Sequence, residues 1–293
     1  MAVASAVASS GNIGPGYDVV ALGLDLRCEV RAEPADHWSC EQVGPHTLKV
    51  GEDLVLRAAR ETVGDDHPLR LTVDNRIPLT RGLGSSAAAF AAGTASALRA
   101  LGSVVDPQEV FERVAAFEGH ADNAAATVFG GLVGILPNGQ PRQLPLALRW
   151  RVIGAVPRYE LRTSEARDVL STSVDRSLVI RSMGRLIALL EGLRTGDEDV
   201  LAQAGGDELH ESPRADLHPL ATDLMDAARE AGAAHACWSG AGPTVLAITS
   251  DGSRLREAAV RSRCFHDVLE KPLEPDTLLK AVSEAAQRPR DGH

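Results

Sequence analysis

The sequence predicts a two-domain protein of mixed strands and helices, and three observations lead to that class. Its 293 residues are enough for two modest domains, each with a proper core. Segments with strand character are interleaved along the chain with longer segments of helical spacing. The texture then changes at Arg151, which sets the domains at residues 1–150 and 151–293. Aromatic residues make up only 3% of the chain, so the cores must be built from Ala, Val and Leu.

In order, residues 3–9 are small and apolar and read as a first strand. Ser9 to Asp18 crowds Gly, Pro, Asn and Ser together and reads as an irregular loop. Val19 to Ala32 reads as one long strand or two short ones, and residues 34–52 as polar turns. Leu54, Leu56, Ala58, Ala59 and Val63 have helical spacing, and Gly64 stops that helix. Leu69, Leu71 and Val73 alternate with polar residues, as in a half-buried strand. Ala87 to Leu101 is an alanine-rich helix ended by Gly102. Asp106-Pro107-Gln108-Glu109 combines an N-cap, a first-turn proline and an acidic third position, opening a helix that runs to about Phe117.

In the second half, Val152 to Val156 is a buried type of strand, and Thr163 or Ser164 is placed to cap a helix. Leu178 to Leu193 is an amphipathic helix, Asp197 to Ala204 a weaker one, and Leu220 to Ala231 a helix stopped by Gly232. Ala236 to Trp238 and Val245 to Ile248 are strands on either side of a Gly-rich break. A helix over residues 252–262, a strand near Phe265 to Leu269 and a frayed tail from Gln287 complete the reading. There is no internal repeat and no low-complexity linker.

The formal net charge of -10, with no basic block, argues against a nucleic-acid surface. No apolar run approaches membrane-spanning length, and residues 1–5 lack a basic, signal-like start. Cys28, Cys40, Cys237 and Cys264 form no CxxC pair and no metal-ligand spacing, which reads as reduced thiols in a cytoplasmic protein.

Four stretches carry candidate chemistry. Pro78-Leu79-Thr80-Arg81-Gly82-Leu83-Gly84-Ser85-Ser86-Ala87-Ala88-Ala89 is a Gly-rich loop feeding a helix. It is either a tight turn before a core helix or a phosphate site at the unpaired first amides of that helix. Ser9 to Asp18 ends on a carboxylate, which serves either the turn or a ligand. Glu118-Gly119-His120-Ala121-Asp122-Asn123 sets four polar groups between apolar segments, as a solvated loop or as a site at a helix end. Ser239-Gly240-Ala241-Gly242-Pro243-Thr244 is the third glycine-bearing element.

Taken together and in this order, these stretches resemble the signature motifs of the GHMP small-molecule kinases, over nearly the whole chain. Within that superfamily the pattern is most similar to the homoserine kinases. The first motif there usually ends Asn-Leu-Gly-Pro-Gly-Phe-Asp, and the helix-junction motif reads Glu-Gly-His-Pro-Asp-Asn. Here Gly11 stands before Asn12 where alanine is usual, and Ala121 replaces the proline. The helix over residues 174–193 also lacks the family's Asn- and Ala-rich pattern.

The resemblance implies an α+β fold, with a ribosomal-protein-S5-like N-terminal domain, a ferredoxin-like C-terminal domain and a site in the cleft between them. It implies ATP with Mg²⁺, L-homoserine as a small-molecule acceptor, a step towards threonine, and leaves room for a homodimer. Carried over motif by motif, Asp18 would hold the substrate ammonium, with Asn12 beside it. Arg167, in its Thr163-x-x-x-Arg pattern, and Arg214 would clamp the carboxylate. Asn123 would bond the attacking hydroxyl, with Asp122 and His120 as the other candidate catalytic groups. Residues 78–88 would wrap the phosphates. Ser85 or Ser86 would serve Mg²⁺ together with Glu118, against which Glu112 competes. An amino acid carries one cation and one anion, so one carboxylate and one or two planar guanidiniums suit it.

Overall fold

The structure, a computed structural model, describes residues 1–47, 53–253 and the backbone of 265–272. The first sheet is organised on one long strand. β1 (Ala2–Asn12) pairs antiparallel along most of β2 (Gly16–Pro34), whose other edge meets β4 (Leu69–Asn75) and β5 (Leu132–Ile135). β3 (Ser39–Gln42) adds to β4 in parallel, and β6 (Pro141–Gln143) adds to β5. Val19 to Ala32 is therefore part of one 19-residue strand, not two short ones.

The second sheet is antiparallel, in the order β10-β7-β9-β8, from β7 (Arg151–Pro157), β8 (His235–Trp238), β9 (Val245–Thr249) and β10 (Phe265–Pro272). This is a ferredoxin-like order: the first and third strands lie inside, with helices between the first and second. α5 (Thr163–Asp168), α6 (Arg176–Thr195), α7 (Glu198–Ala202) and α8 (Leu220–Glu230) lie between β7 and β8.

The helices of the first half form where their ends are satisfied. α1 (Leu54–Val63) starts where the Asp53 carboxylate accepts from the Val55 and Leu56 amides. α3 (Pro107–Glu118) starts where Asp106 accepts from the Gln108 amide. α2 (Ser85–Ala100) is the central helix, buried at every position from Ala87 to Ala97. Its alanines leave room for α1, α3, α4 (Asp122–Phe129) and the sheet to approach closely. A single core then runs across both sheets. Leu22, Val30, Leu71 and Phe90 belong to the same cluster as Trp150, Val152, Leu193 and Ile248.

Three expectations change. The segment over residues 9–18 is mostly strand: β1 reaches Asn12 and β2 begins at Gly16, leaving a tight turn. Asn12, Ile13 and Asp18 nevertheless hold positive φ of 71°, 48° and 55°, a costly state for a β-branched residue such as Ile13. Buried contacts hold the turn, since His235 Nε2 donates to the Ile13 carbonyl and His210 Nε2 to that of Gly14. Second, residues 118–123 are a helix-to-helix junction rather than a solvated loop, with Asp122 only 2% exposed. Third, Thr163 is the first residue of α5 and not its cap; that position is Arg162, and no side chain caps the helix. The short polar strands β3 and β6 carry too little alternation to be read from sequence. Almost all of the helix expected over residues 252–262, and the tail from Gln287, lie outside the described residues.

The three glycine-bearing segments meet at one junction. Ser239 Oγ donates to the Gly82 carbonyl at 2.6 Å and shares a hydrogen bond with Ser10 Oγ at 2.9 Å. The Gly240 amide donates to the Gly11 carbonyl, and the Ser9 amide to that of Leu83. Two glycines are sterically required here. A Cβ on Gly82 would stand 2.1 Å from the Ser239 carbonyl oxygen, and one on Gly84 1.9 Å from Ser9 Oγ, both at positive φ.

A buried carboxyl joins the 3-10 turn Ser212–Leu217 to the second sheet. Glu211 Oε1 accepts from the Trp238 amide at 2.7 Å, and burial pushes its carboxyl up to about 8. Between the ordinary carboxyl range and about pH 8, the folded chain holds a proton that the unfolded chain has released, so stability falls as pH rises across that window. Glu211→Gln keeps the acceptor and has no proton to lose. It is expected to gain thermal stability over the parent from pH 5 to pH 8, with a slope of up to about 1.4 kcal/mol per pH unit. A pH-independent difference in melting temperature would contradict this. Gly84→Ala is expected to destabilise by more than about 1 kcal/mol in denaturant titration, whereas Gly139→Ala, also at positive φ but in open space, carries only the conformational part.

Candidate active site

A cleft of about 280 Å³ opens where the junction ends, lined from both halves of the chain. Of the residues singled out in the sequence, Asn12, Asp18, Glu118, His120, Asp122 and Asn123 line it. So do the loop from Thr80 to Ser86 and, from the second half, Thr163, Arg167 and Arg214. Pro78, Leu79, Ala87 and Ala88 do not: Ala87 and Ala88 are fully buried in the core, and Leu79 packs against it.

The loop is held open toward the cleft. The Arg81 guanidinium donates to the carbonyls of Pro157 (2.9 Å) and Arg158 (2.8 Å), tying the loop to the end of β7. Gly84, in the left-handed region, is the N-cap of α2, with no side-chain cap and no acidic residue in the first turn. The positive dipole end of α2 therefore borders the cleft with no acidic residue in its own first turn.

Next to them, Ser86 Oγ donates to Glu118 Oε1 at 2.5 Å. Burial raises the Glu118 carboxyl above its ordinary range, opposed by that hydrogen bond and by His120. His120 Nδ1 donates to Asp122 Oδ1 at 2.9 Å, while Nε2 stands 3.6 Å from Glu118 Oε2. The hydrogen bond to Asp122 is the main reason the imidazole is raised above its usual range. Glu112 lies apart, exposed and bonded to Gln108. A hydroxyl and a carboxylate are the hard oxygen donors that Mg²⁺ prefers, in a shell otherwise filled by phosphate and water. The residues present therefore fit that ion.

Asn123, at the start of α4, accepts from Ser9 Oγ through Oδ1 at 2.8 Å, and Thr127 Oγ1 reaches the same serine at 3.3 Å. This fixes the amide so that Nδ2 is the group left to donate into the cleft.

On the facing side, the Asp18 carboxylate takes both ends of the Arg167 guanidinium, at 2.7 and 3.0 Å. Arg214 is 1% exposed, with Nε donating to the Ala166 carbonyl (2.7 Å) and Nη1 to His210 Nδ1 (3.0 Å). Arg214 lines the cleft with Nη2 outside these two hydrogen bonds. Tyr17 lies under both guanidiniums, 5.8 Å from Arg167 and 5.6 Å from Arg214, and stacks on His210 at 5.2 Å. Asn12 spends its amide within the protein: Nδ2 donates to the Gly240 carbonyl (2.9 Å), and Oδ1 accepts from the Asp18 amide (3.0 Å).

Sequence reasoning did not single out Tyr17, Ser9, His210, Leu161 or Arg162 at this site. Tyr17 carried a signal, since it sits beside Asp18 in the first motif. Ser9 opens that same motif and His210 stands four residues before Arg214, while Leu161 and Arg162 come from positions whose sequence neighbourhood is unremarkable.

The chain matches two family models, GHMP kinases N terminal domain over residues 52–131 and GHMP kinases C terminal over residues 189–265. It is 36% identical to the homoserine kinase of Moorella thermoacetica, covering 82% of this chain and 85% of that one. It is 37% identical to a homoserine kinase of Thermus thermophilus, covering 84% and 86%. Among solved structures, a homoserine kinase from Cytophaga hutchinsonii superposes with a TM-score of 0.82 at 23% identity, covering 94% and 95%. An L. major mevalonate kinase superposes at 0.73 and 15%, covering 94% and 97%, which shows the fold. No helix among the described residues is long and apolar enough to cross a membrane. With both halves of the signature matched and the relatives aligned over most of their length, the chain belongs to the GHMP kinase family of ATP-dependent small-molecule kinases.

Proposed function

We propose that this chain phosphorylates L-homoserine at the expense of ATP, giving O-phospho-L-homoserine, a step towards threonine. The observation that carries the reading is the pairing of one carboxylate, Asp18, with two guanidiniums, Arg167 and Arg214, across the cleft from the bare start of α2. That charge set suits a zwitterionic amino acid, and the helix start suits a phosphate. The relatives' names agree with it.

In this reading the substrate ammonium takes the place of the Arg167 guanidinium on Asp18, and the carboxylate takes Arg167 together with Arg214 Nη2. Asn12 fixes the strained backbone that presents Asp18, and Thr163 borders the acceptor. Asn123 Nδ2 donates to the hydroxyl oxygen that attacks, aligning it. Asn123 is not a base, so the hydroxyl proton leaves on the transferred phosphoryl group. Asp122, engaged with His120, orients the imidazole rather than accepting that proton. Glu118 and Ser86, with Ser85 adjacent, supply oxygens for Mg²⁺, which when bound neutralises phosphate charge. Residues 80–86 contribute backbone amides, and the rest of 78–88 shapes the loop. The chain divides at 150/151, where the second sheet begins. The unpaired thiols of Cys28, Cys40 and Cys237 suit a cytoplasmic setting.

The test is turnover of L-homoserine, L-threonine, L-serine and shikimate with ATP and Mg²⁺. The highest kcat/KM is expected for L-homoserine. Turnover of threonine or shikimate without homoserine would assign another acceptor, and ATP binding without turnover of any would make the chain a nucleotide sensor. Asp18→Asn is expected to raise the KM for homoserine by roughly ten- to hundredfold with little change in that for ATP, the loss of a charged hydrogen bond. Arg214→Ala is expected to raise the acceptor KM far more than the ATP KM, and equal effects on both would remove it from the carboxylate site. Glu118→Gln is expected to raise the Mg²⁺ concentration for half-maximal rate; an unchanged Mg²⁺ curve would exclude it as a ligand.

A further inference from the structure

The linker between β7 and α5 is bound to the loop that precedes α2. The Arg81 guanidinium donates to the Pro157 and Arg158 carbonyls, and the Leu161 amide donates to the Thr80 carbonyl at 3.4 Å. Leu161 is anchored in turn in the second half, where it packs in one cluster with Trp238 and Val245. The next residue, Arg162, is the N-cap of α5 and lines the cleft with an exposed side chain. Arg167, in the last turn of the same short helix, pairs with Asp18. Arg162 therefore enters the cleft between the loop before α2 and the proposed acceptor site.

The other guanidiniums that line the cleft are committed. Arg81 is held by the two carbonyls, with Glu160 at 3.6 Å. Arg167 is held by Asp18, and Arg214 by the Ala166 carbonyl and His210. Among the described residues Arg162 has no hydrogen bond or ion pair, and no lysine lines the cleft. A nucleoside triphosphate remains an anion after it binds Mg²⁺, and the phosphoryl group in transit carries its charge on its outer oxygens. The dipole end of α2 meets part of that charge. In the proposed acceptor site a zwitterion is matched by Asp18, Arg167 and Arg214, which leaves Arg162 as the guanidinium without a task. A guanidinium is planar, always charged, and able to engage two phosphate oxygens at once.

We propose that Arg162 is a catalytic residue of the phosphoryl transfer: its guanidinium binds the γ-phosphoryl group of ATP and stays on that group as it passes to the acceptor. The bond from phosphorus to the β–γ bridging oxygen breaks, and its electron pair leaves with ADP. The acceptor hydroxyl oxygen forms the new bond to phosphorus, and the hydroxyl proton leaves on the transferred group. Arg162 gives and takes no proton; it neutralises charge that moves from the loop side of the cleft to the acceptor side. The inference rests on the reading of the cleft as a phosphotransfer site and not on which acceptor it takes.

Nucleotide binding without acceptor and steady-state turnover with L-homoserine test this together. Arg162→Ala is expected to weaken ATP on the order of tenfold in calorimetric titration with Mg²⁺ while leaving ADP within about twofold, since only ATP carries the γ-phosphoryl group. Its kcat is expected to fall about a hundredfold or more, with the homoserine KM within about threefold of the parent. Arg162→Lys is expected to keep part of the ATP affinity and less of the kcat, a point charge in place of a planar fork. Added guanidinium ion is expected to restore part of the turnover of Arg162→Ala, which a structural role would not allow. The melting temperature of the variant is expected to match the parent's, because the side chain is exposed. A parental kcat or a parental ATP affinity in Arg162→Ala overturns the proposal. So does an equal loss for ATP and ADP, or a loss confined to the homoserine KM. A parent that turns over no acceptor counts against the proposed function, whereas the contrast between ATP and ADP still decides the contact of Arg162.

Discussion

The structure depends on a hydrogen-bonded junction at Ser239. One hydroxyl, given to the Gly82 carbonyl and shared with Ser10, joins segments that lie more than 150 residues apart in the chain. Around it the backbone of each glycine-bearing segment bonds to another, and no side chain larger than hydrogen fits at Gly82 or Gly84. The first sheet, the second sheet and the start of α2 are thereby held in one relation. The cleft is the space that this relation leaves. Its walls come from both halves, so neither half alone would carry the site.

Electrostatics divides the cleft in two. On one side the start of α2 offers a positive dipole end with no acidic residue in its own first turn, next to a hydroxyl and a carboxyl that burial raises toward its neutral form. On the other, a carboxylate and two guanidiniums are arranged around one aromatic ring. Asn123 stands between these regions, with its orientation fixed by Ser9 from β1. Most of these side chains are held by at least one further hydrogen bond, so little reorganisation is needed before a ligand enters.

Much of this was legible in the sequence because the motifs are contiguous. Gly82 and Gly84 before an alanine run announce a helix start, and Asp106-Pro107 announces a cap, through rules that act within four residues. Glu118, His120, Asp122 and Asn123 stood out because polar groups clustered between apolar runs, and the resemblance of that stretch to the family motif, not the clustering, made them site residues. What escaped depends on distance along the chain. Ser9 reaches Asn123 across 114 residues, and His210 supports both the Gly14 turn and Arg214. Thr163 was misplaced by one position because a cap-forming residue type does not specify where the backbone enters the helix. The periodicity of α6 identified a helix with an apolar side, but not that Ile180, Met183 and Ile187 face away from the core.

The ion pair of Asp18 with Arg167 gives the proposed acceptor site a further property. Each charge is neutralised by the other in the free chain. A zwitterion that enters between them exchanges one internal pair for two external ones, and the count of net charge in the cleft does not change. An amine without a carboxylate would strand the guanidinium, and an acid without an amine would strand Asp18, beside the desolvated side chain of Arg214. In the proposed acceptor site a zwitterion therefore leaves neither member of that pair unmatched, whereas an amine or an acid alone would leave one of them without a partner.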